Sequence, residues 1–180
     1  MAQHGRYNET WLAEDTLNEH SDRDTIVALA TAPGAAGVAI VRLSGDRAIE
    51  LAGAISGRSA SRFKHGQMRL CLLHDGDGER IDRGYIVVFH APRSMTGEDI
   101  AECHVHGSMA VIGRLLDALV AAGARPARRG EFSMRAFLGG KLDLTQAEGL
   151  LDLVSARSEA ARKLAIDHLD GRLSALLETL

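Results

Sequence analysis

Three groups of residues in this chain have the types and spacing for chemistry. The first is Glu102, His104 and His106. On a strand, alternate side chains project from one face, so the carboxylate and both imidazoles share a surface. One carboxylate with two imidazoles is a plausible set for a first-row metal ion. At a strand end the same histidines also read as bonded to backbone or solvent, and no His-Glu-x-x-His helix supports the metal set. The hydrogen-bonded reading is therefore the expected one, and a metal-dependent enzyme using Glu102, His104 and His106 is the alternative. Cys103 points to the opposite face and reads as a small core residue.

The second group is Arg125, Arg128, Arg129, Arg135 and Lys141, five cations against the single acid Glu131. Such a cluster suits a polyanion: an RNA backbone, a phosphate or a polyglutamyl tail. It suits equally a solvated face balanced by acidic helices after residue 142, and the pattern leaves both open. The third group is Pro33-Gly34-Ala35-Ala36-Gly37, small residues between two apolar runs. It is not a phosphate loop of the Walker type, which needs Gly-x-x-x-x-Gly-Lys-Ser/Thr leading into a helix. No Gly-Lys-Ser or Gly-Lys-Thr occurs in the 180 residues, so they hold no P-loop NTPase site.

The elements that must position these groups follow from periodicity. Residues 25–31 and 37–43 are apolar, β-branched runs that predict two strands around the Pro33-Gly34 turn. Ser44 is expected to open a short helix with Ala48, Leu51, Ala52 and Ile55 on one face, closing at Gly57. Residues 58–66 read as a polar linker. Strands over 67–74 and 81–90 are joined by Asp75-Gly-Asp-Gly78, a hairpin turn that lacks the later ligands of a calcium loop. A further strand covers 99–106. Met109, Ile112, Leu115, Leu116 and Leu119 then recur at helical spacing, before a short extended piece at 125–128 and a helix around 132–138. From Leu142 onward the pattern is helical. Thr145 and Glu148 have capping-box spacing, and Leu144, Ala147, Leu151 and Val154 form a stripe. A second stripe from Leu164 runs through Leu173, Leu176, Leu177 and Leu180 without a stop signal, as expected of a chain cut inside a larger protein.

Composition bounds what such a chain can be. Of 180 residues, 46% are hydrophobic and 25% charged, which excludes wholesale disorder. Twenty-one basic residues against 24 acidic give a net charge of −3, which excludes a uniformly basic nucleic-acid binder. Aromatic residues are only 4%, so the core must come from Ala, Val, Ile and Leu. Two cysteines outside any Cys-x-x-Cys pair read as reduced thiols. No window approaches the roughly 20 apolar residues of a membrane span, and residues 1–24 lack the apolar core of a signal peptide. A cytoplasmic protein without a membrane segment is expected. Its organisation is a polar flexible tail over 1–23, an α+β domain over 24–141, and the start of a helical domain over 142–180.

Several motifs in fixed order resemble one family. Residues 24–34 (DTIVALATAPG), residues 37–45 (GVAIVRLSG), Thr96-Gly-Glu-Asp99 and His106-Gly107 are similar to the N-terminal part of the MnmE (TrmE) tRNA-modification GTPases. So are Arg129-Gly-Glu-Phe132, Arg135-Ala-Phe-Leu138 and residues 140–148 (GKLDLTQAE), and the likeness runs over about 24–180. The resemblance implies a mixed-sheet, tetrahydrofolate-binding-type domain followed by an all-α segment. It implies a homodimer that holds 5-formyl- or methylene-tetrahydrofolate near its interface. It also implies modification of the wobble uridine of tRNA at C5 with an MnmG-type FAD protein as partner. GTP hydrolysis with magnesium and potassium would belong to a G domain whose motifs these residues lack, so no catalytic residue is assigned here, and this chain alone is expected to be inactive.

Three folate contacts transfer by motif: Arg42 of Arg-Leu-Ser-Gly, Glu102 as the second Glu of Gly-Glu-Asp-x-x-Glu, and Lys141 before Leu-Asp-Leu. A pterin edge of adjacent N–H donors suits the two oxygens of a carboxylate, and the cations suit a glutamate tail or ring carbonyls. The chain departs from the family pattern at Ala35-Ala36, at Met95 in place of an aromatic, at Ser108, and at Arg129 in place of proline. Ala35 and Met95 favour one further alternative, a dimerisation scaffold whose folate pocket has decayed.

Overall fold

The computed structural model describes residues 24–170. The expected tail over 1–23 lies outside them, as do Leu173, Leu176, Leu177 and Leu180. Six strands form one mixed sheet: β1 (Ile26–Leu29), β2 (Ala36–Ser44), β3 (Arg69–His74), β4 (Arg80–Phe89), β5 (Ile100–Gly107) and the two-residue β6 (Arg125–Pro126). Their order is β3-β4-β5-β2-β1-β6, antiparallel throughout except where β6 joins β1 in parallel. Helices α1 (Ala48–Ile55), α2 (Met109–Ala121), α3 (Glu131–Leu138), α4 (Leu144–Ser155) and α5 (Glu159–Leu169) complete the α+β arrangement.

Period-two alternation divides the sheet into a dry face and an open one. Val41 and Leu43 of β2, Cys103 and Val105 of β5, Ile86 and Val88 of β4, and Cys71 and Leu73 of β3 face inward. Leu51 and Ile55 of α1 and Ile112, Leu115 and Leu119 of α2 cover them. Each such side chain removed from water contributes roughly 1.5–3 kcal/mol before entropy is counted. Cys103 is a core residue, as expected; burial pushes its thiol pKa up to about 12, which leaves it without thiolate character. On the other face Leu70, Leu72 and Tyr85 remain 40–46% exposed, and no helix among the described residues covers them.

Four local expectations are corrected. Strand β2 continues through Ser44 and α1 starts only at Ala48, because the Ser44 hydroxyl is committed to Thr96 and Glu98 rather than to a helix end. Residues 58–66 are not a plain linker. Phe63 is buried in the core, and Gly66 N donates to Val88 O at 2.8 Å, which ties the segment to β4. The capping box of α4 uses Asp143 and Gln146, not Thr145 and Glu148. Asp143 Oδ1 accepts from Gln146 N at 2.8 Å while Gln146 Oε1 accepts from Asp143 N at 2.9 Å. Finally, the stripe Leu144, Leu151 and Val154 faces solvent. The buried contact between α4 and α5 is made by small residues: a Cβ on Gly149 would stand 2.8 Å from His168 Cβ, so only glycine permits this approach. Among the described residues, no helix is long and apolar enough to cross a membrane.

Candidate ligand site on the open sheet face

Register brings two of the motif residues together. Arg42 on β2 lies opposite Glu102 on β5, sixty positions away, and Arg42 Nε donates to Glu102 Oε1 at 2.8 Å. Both side chains are largely but not fully buried, 24% and 15% exposed, which leaves the carboxylate reachable from the open face. The second oxygen, Oε2, stands 3.4 Å from His104 Nε2. That nitrogen is buried and has no hydrogen-bond partner among the described residues. A buried polar atom left without a hydrogen bond costs about 1–3 kcal/mol, and Glu102 Oε2 at 3.4 Å is within ion-pairing distance of it when the imidazole is charged.

Two further residues, which spacing alone does not reveal, complete the surroundings of Arg42. Its guanidinium carbon lies 5.7 Å from the centre of the Phe132 ring on α3, a cation–π distance. Arg42 Nη1 also donates to Met95 Sδ at 3.6 Å. Met95, the residue before Thr96-Gly-Glu-Asp99, therefore lies against Arg42. Phe132 stands within the quoted Arg-Gly-Glu-Phe motif, so its signal was present but carried no assigned role.

The metal alternative does not assemble. His106 turns to Asp82 of β4, whose Oδ1 is 2.9 Å from His106 Nδ1 and whose Oδ2 accepts from His106 N at 2.8 Å. Burial opposes ionisation of Asp82, but the bonds from the His106 backbone and ring outweigh it and hold its carboxyl below the usual range. Glu102 is meanwhile engaged by Arg42. Among the described residues no group of three histidine, cysteine or acidic side chains is placed to hold a metal ion.

Lys141 does not join Arg42 and Glu102 directly. It lies across the loop 92–98, where its Cε would be 3.4 Å from a Cβ on Gly97. There it lines a cavity of about 530 Å³. A Cβ on Gly139 would meet Thr96 O at 2.5 Å, so this glycine lets the end of α3 seat directly against the loop. Behind the cavity lies an ionic cluster. Arg125 Nε donates to Asp24 Oδ2 and its Nη2 to Glu131 Oε1, both at 2.6 Å. Arg135 Nη2 donates to Asp24 Oδ1 at 2.5 Å, and its Nη1 to Glu98 Oε1 at 3.1 Å. Glu98 in turn accepts from Ser44 Oγ, which shares a 2.7 Å bond with Thr96 Oγ1.

Glu131 is 4% exposed and Arg135 9%, so this is a structural core of charge rather than a solvated face. Within the arginine run, Arg125 and Arg135 are balanced by Asp24, Glu98 and Glu131 rather than, among the described residues, by the helices after 142. Burial opposes ionisation of Asp24 and of Glu131, yet their arginine partners hold both carboxyls below the usual range. Arg125 is pushed up by its bonds to Glu131 and Asp24.

The family model described as "GTP-binding protein TrmE N-terminus" matches residues 25–141. The chain belongs to this family. Similar curated proteins bear the name "tRNA modification GTPase MnmE". The one from Thermus thermophilus is 48% identical over 160 residues, 88% of this chain and 37% of its own length. That from Halorhodospira halophila is 48% identical over 153 residues, covering 85% and 32%. That from Fervidobacterium nodosum is 43% identical over 177 residues, covering 94% and 37%. The chain thus spans about a third of the length of these relatives, as a TrmE N-terminal region would.

Proposed function

We propose that this chain is the tetrahydrofolate-binding and homodimerisation module of a tRNA wobble-uridine modification GTPase. Residues 24–141 form the binding unit and 142–180 begin the helical domain. The observation that carries the reading is Glu102: a carboxylate on an open sheet face, oriented by Arg42, beside a buried imidazole nitrogen without a partner.

The donor set fits the group. A pterin edge presents adjacent N–H donors, and each Glu102 oxygen keeps a lone pair beyond its protein neighbour. Arg42 holds that carboxylate in place. Phe132 and Met95 flank the guanidinium with apolar surface against which a flat ring can lie. Lys141 has no carboxylate partner among the described residues and is a cation available for the glutamate end. When bound, a 5-formyl- or methylene-tetrahydrofolate supplies the one-carbon unit; the residues named here bind and orient it. GTP, magnesium and potassium belong in this proposal to a G domain outside these 180 residues, and the MnmG-type FAD protein and tRNA are partners of the complete enzyme in the cytoplasm.

The test is calorimetric titration of the chain with 5-formyl-tetrahydrofolate, alongside Glu102→Ala, with mass measured by light scattering. Saturable binding to a dimer is expected, weakened about 100-fold or more in Glu102→Ala because two charge-assisted hydrogen bonds are lost. A folded dimer that binds nothing would select the scaffold with a decayed pocket instead.

A further inference from the structure

The cavity beside Lys141 has a charge inventory that the folate reading leaves partly unused. Its walls include four cations, Arg125, Arg128, Arg135 and Lys141, and three carboxylates, Asp24, Glu98 and Glu131. The carboxylates are committed. Asp24 is bonded to Arg125 and Arg135, Glu131 to both arginines, and Glu98 to Arg135 and Ser44. Arg125 and Arg135 are committed with them. The uncommitted cations are Arg128 and Lys141: both are exposed, and neither has a carboxylate partner among the described residues. Arg128 is fixed at its backbone, where its N–H donates to Glu131 Oε2 at 2.7 Å. Its side chain is left free on the cavity wall.

We infer that Arg128 and Lys141 form a subsite for a γ-linked oligoglutamate tail, so that this module prefers folates carrying several glutamates. The inference rests on the folate reading and extends it from the head of the ligand to its tail. Each added γ-glutamyl unit carries one more carboxylate, and two uncommitted cations lining one cavity match a short run of such groups. A fork-shaped guanidinium takes a carboxylate in two parallel bonds, and Lys141 adds a point charge. An RNA backbone would also be attracted to cations, but it is best met by a ridge of exposed charge. Here the two free cations sit in a concavity whose other charged groups, two arginines and three carboxylates, are bonded to one another.

The test compares 5-formyl-tetrahydrofolate bearing one glutamate with the form bearing five, titrated into the chain and into Arg128→Ala and Arg129→Ala. The Arg128→Ala change keeps the backbone bond to Glu131. Arg129, which does not line the cavity, serves as the control. The five-glutamate form is expected to bind about fivefold more tightly, the size of a solvent-accessible ion pair. That gain should vanish in Arg128→Ala, persist in Arg129→Ala and shrink in 0.5 M salt, while the one-glutamate form binds all three proteins alike. Equal affinity for both forms would overturn the inference and leave the folate reading standing. If neither form binds, the folate reading fails, and free tri-γ-glutamate then decides the subsite alone: it must shift the Arg128 side-chain NMR signal, or the subsite is refuted. An Arg128→Ala effect confined to tRNA binding would assign the cation to RNA and overturn the inference as well.

Discussion

At the scale of single residues, the site turns on which groups have surplus bonding capacity. Glu102 has it, because Arg42 takes one oxygen and leaves lone pairs facing outward. Glu102→Gln keeps the shape but replaces one acceptor with a donor, so it is expected to lose folate binding nearly as completely as Glu102→Ala. Unchanged circular dichroism would show that the loss is local. Glu131 is the opposite case, with no surplus. It accepts from Arg125, Arg128 N and Arg135, and removing it takes those charge-assisted bonds from the cluster and leaves Asp24 and Glu98 alone against two guanidiniums, one of them 9% exposed. Glu131→Ala should therefore lower unfolding free energy by about 3 kcal/mol, read by chemical denaturation. The sequence could mark Arg42, Glu102 and Lys141 through motifs. It could not show that Arg125 and Arg135 are spoken for, because Asp24 lies 101 and 111 positions from them and a count of neighbouring charges sees only Glu131.

At the scale of elements, legibility followed the range of the forces involved. The inward alternation of β2, β4 and β5 is local and was readable; the strand order was not, because it depends on pairing between segments far apart. The box at α4 shows the same limit at short range. Asp143 and Thr145 are both competent caps, and the choice fell to Asp143, whose carboxylate answers Gln146. The ionic cluster joins the start of β1, the 92–98 loop and α3, so its titration reports on how these elements hold together. Asp24 and Glu131 have pKa values below their ordinary 3.8 and 4.5. A carboxyl with a lower pKa in the folded state stabilises the fold above its unfolded pKa, and that contribution is lost as pH falls through the folded value. Thermal midpoints should thus stay level down to about pH 4.5 and fall below it. In Asp24→Asn/Glu131→Gln the midpoint should be lower at neutral pH and the acid decline shallower. The same steep decline in both proteins would place the acid-sensitive groups elsewhere. At α4 and α5, Gly149→Val would drive two methyls into His168 and is expected to separate these helices, seen as lost protection of their amides from exchange while β2 and β5 stay protected.

At the scale of the whole molecule, the asymmetry of the sheet is the fact to explain. One face is closed by α1 and α2; the other carries Leu70 opposite Tyr85, which is itself opposite His104, with Leu72 beyond them. The apolar row is thus continuous with the candidate ligand site. A homodimer built on this face, as proposed, would cover the row and close the candidate ligand site from the side, which would account for exposed leucines on a strand. A stable interface needs roughly 1,200 Å² or more in total, and a sheet face of this breadth meets that requirement only if its centre is apolar. Leu72 is paired with Arg83, so Leu72→Arg would place two guanidiniums side by side and repeat that pair on the facing copy. Light scattering should then report a monomer at concentrations where the parent chain is a dimer, with circular dichroism unchanged because Leu72 is exposed and contributes nothing to the dry face. Folate affinity separates the geometries further. If one chain completes the site, the monomeric variant binds as the parent does; if the second copy closes it, affinity falls along with the mass. A variant that remains dimeric would show that the copies meet elsewhere and that the open face serves the ligand alone.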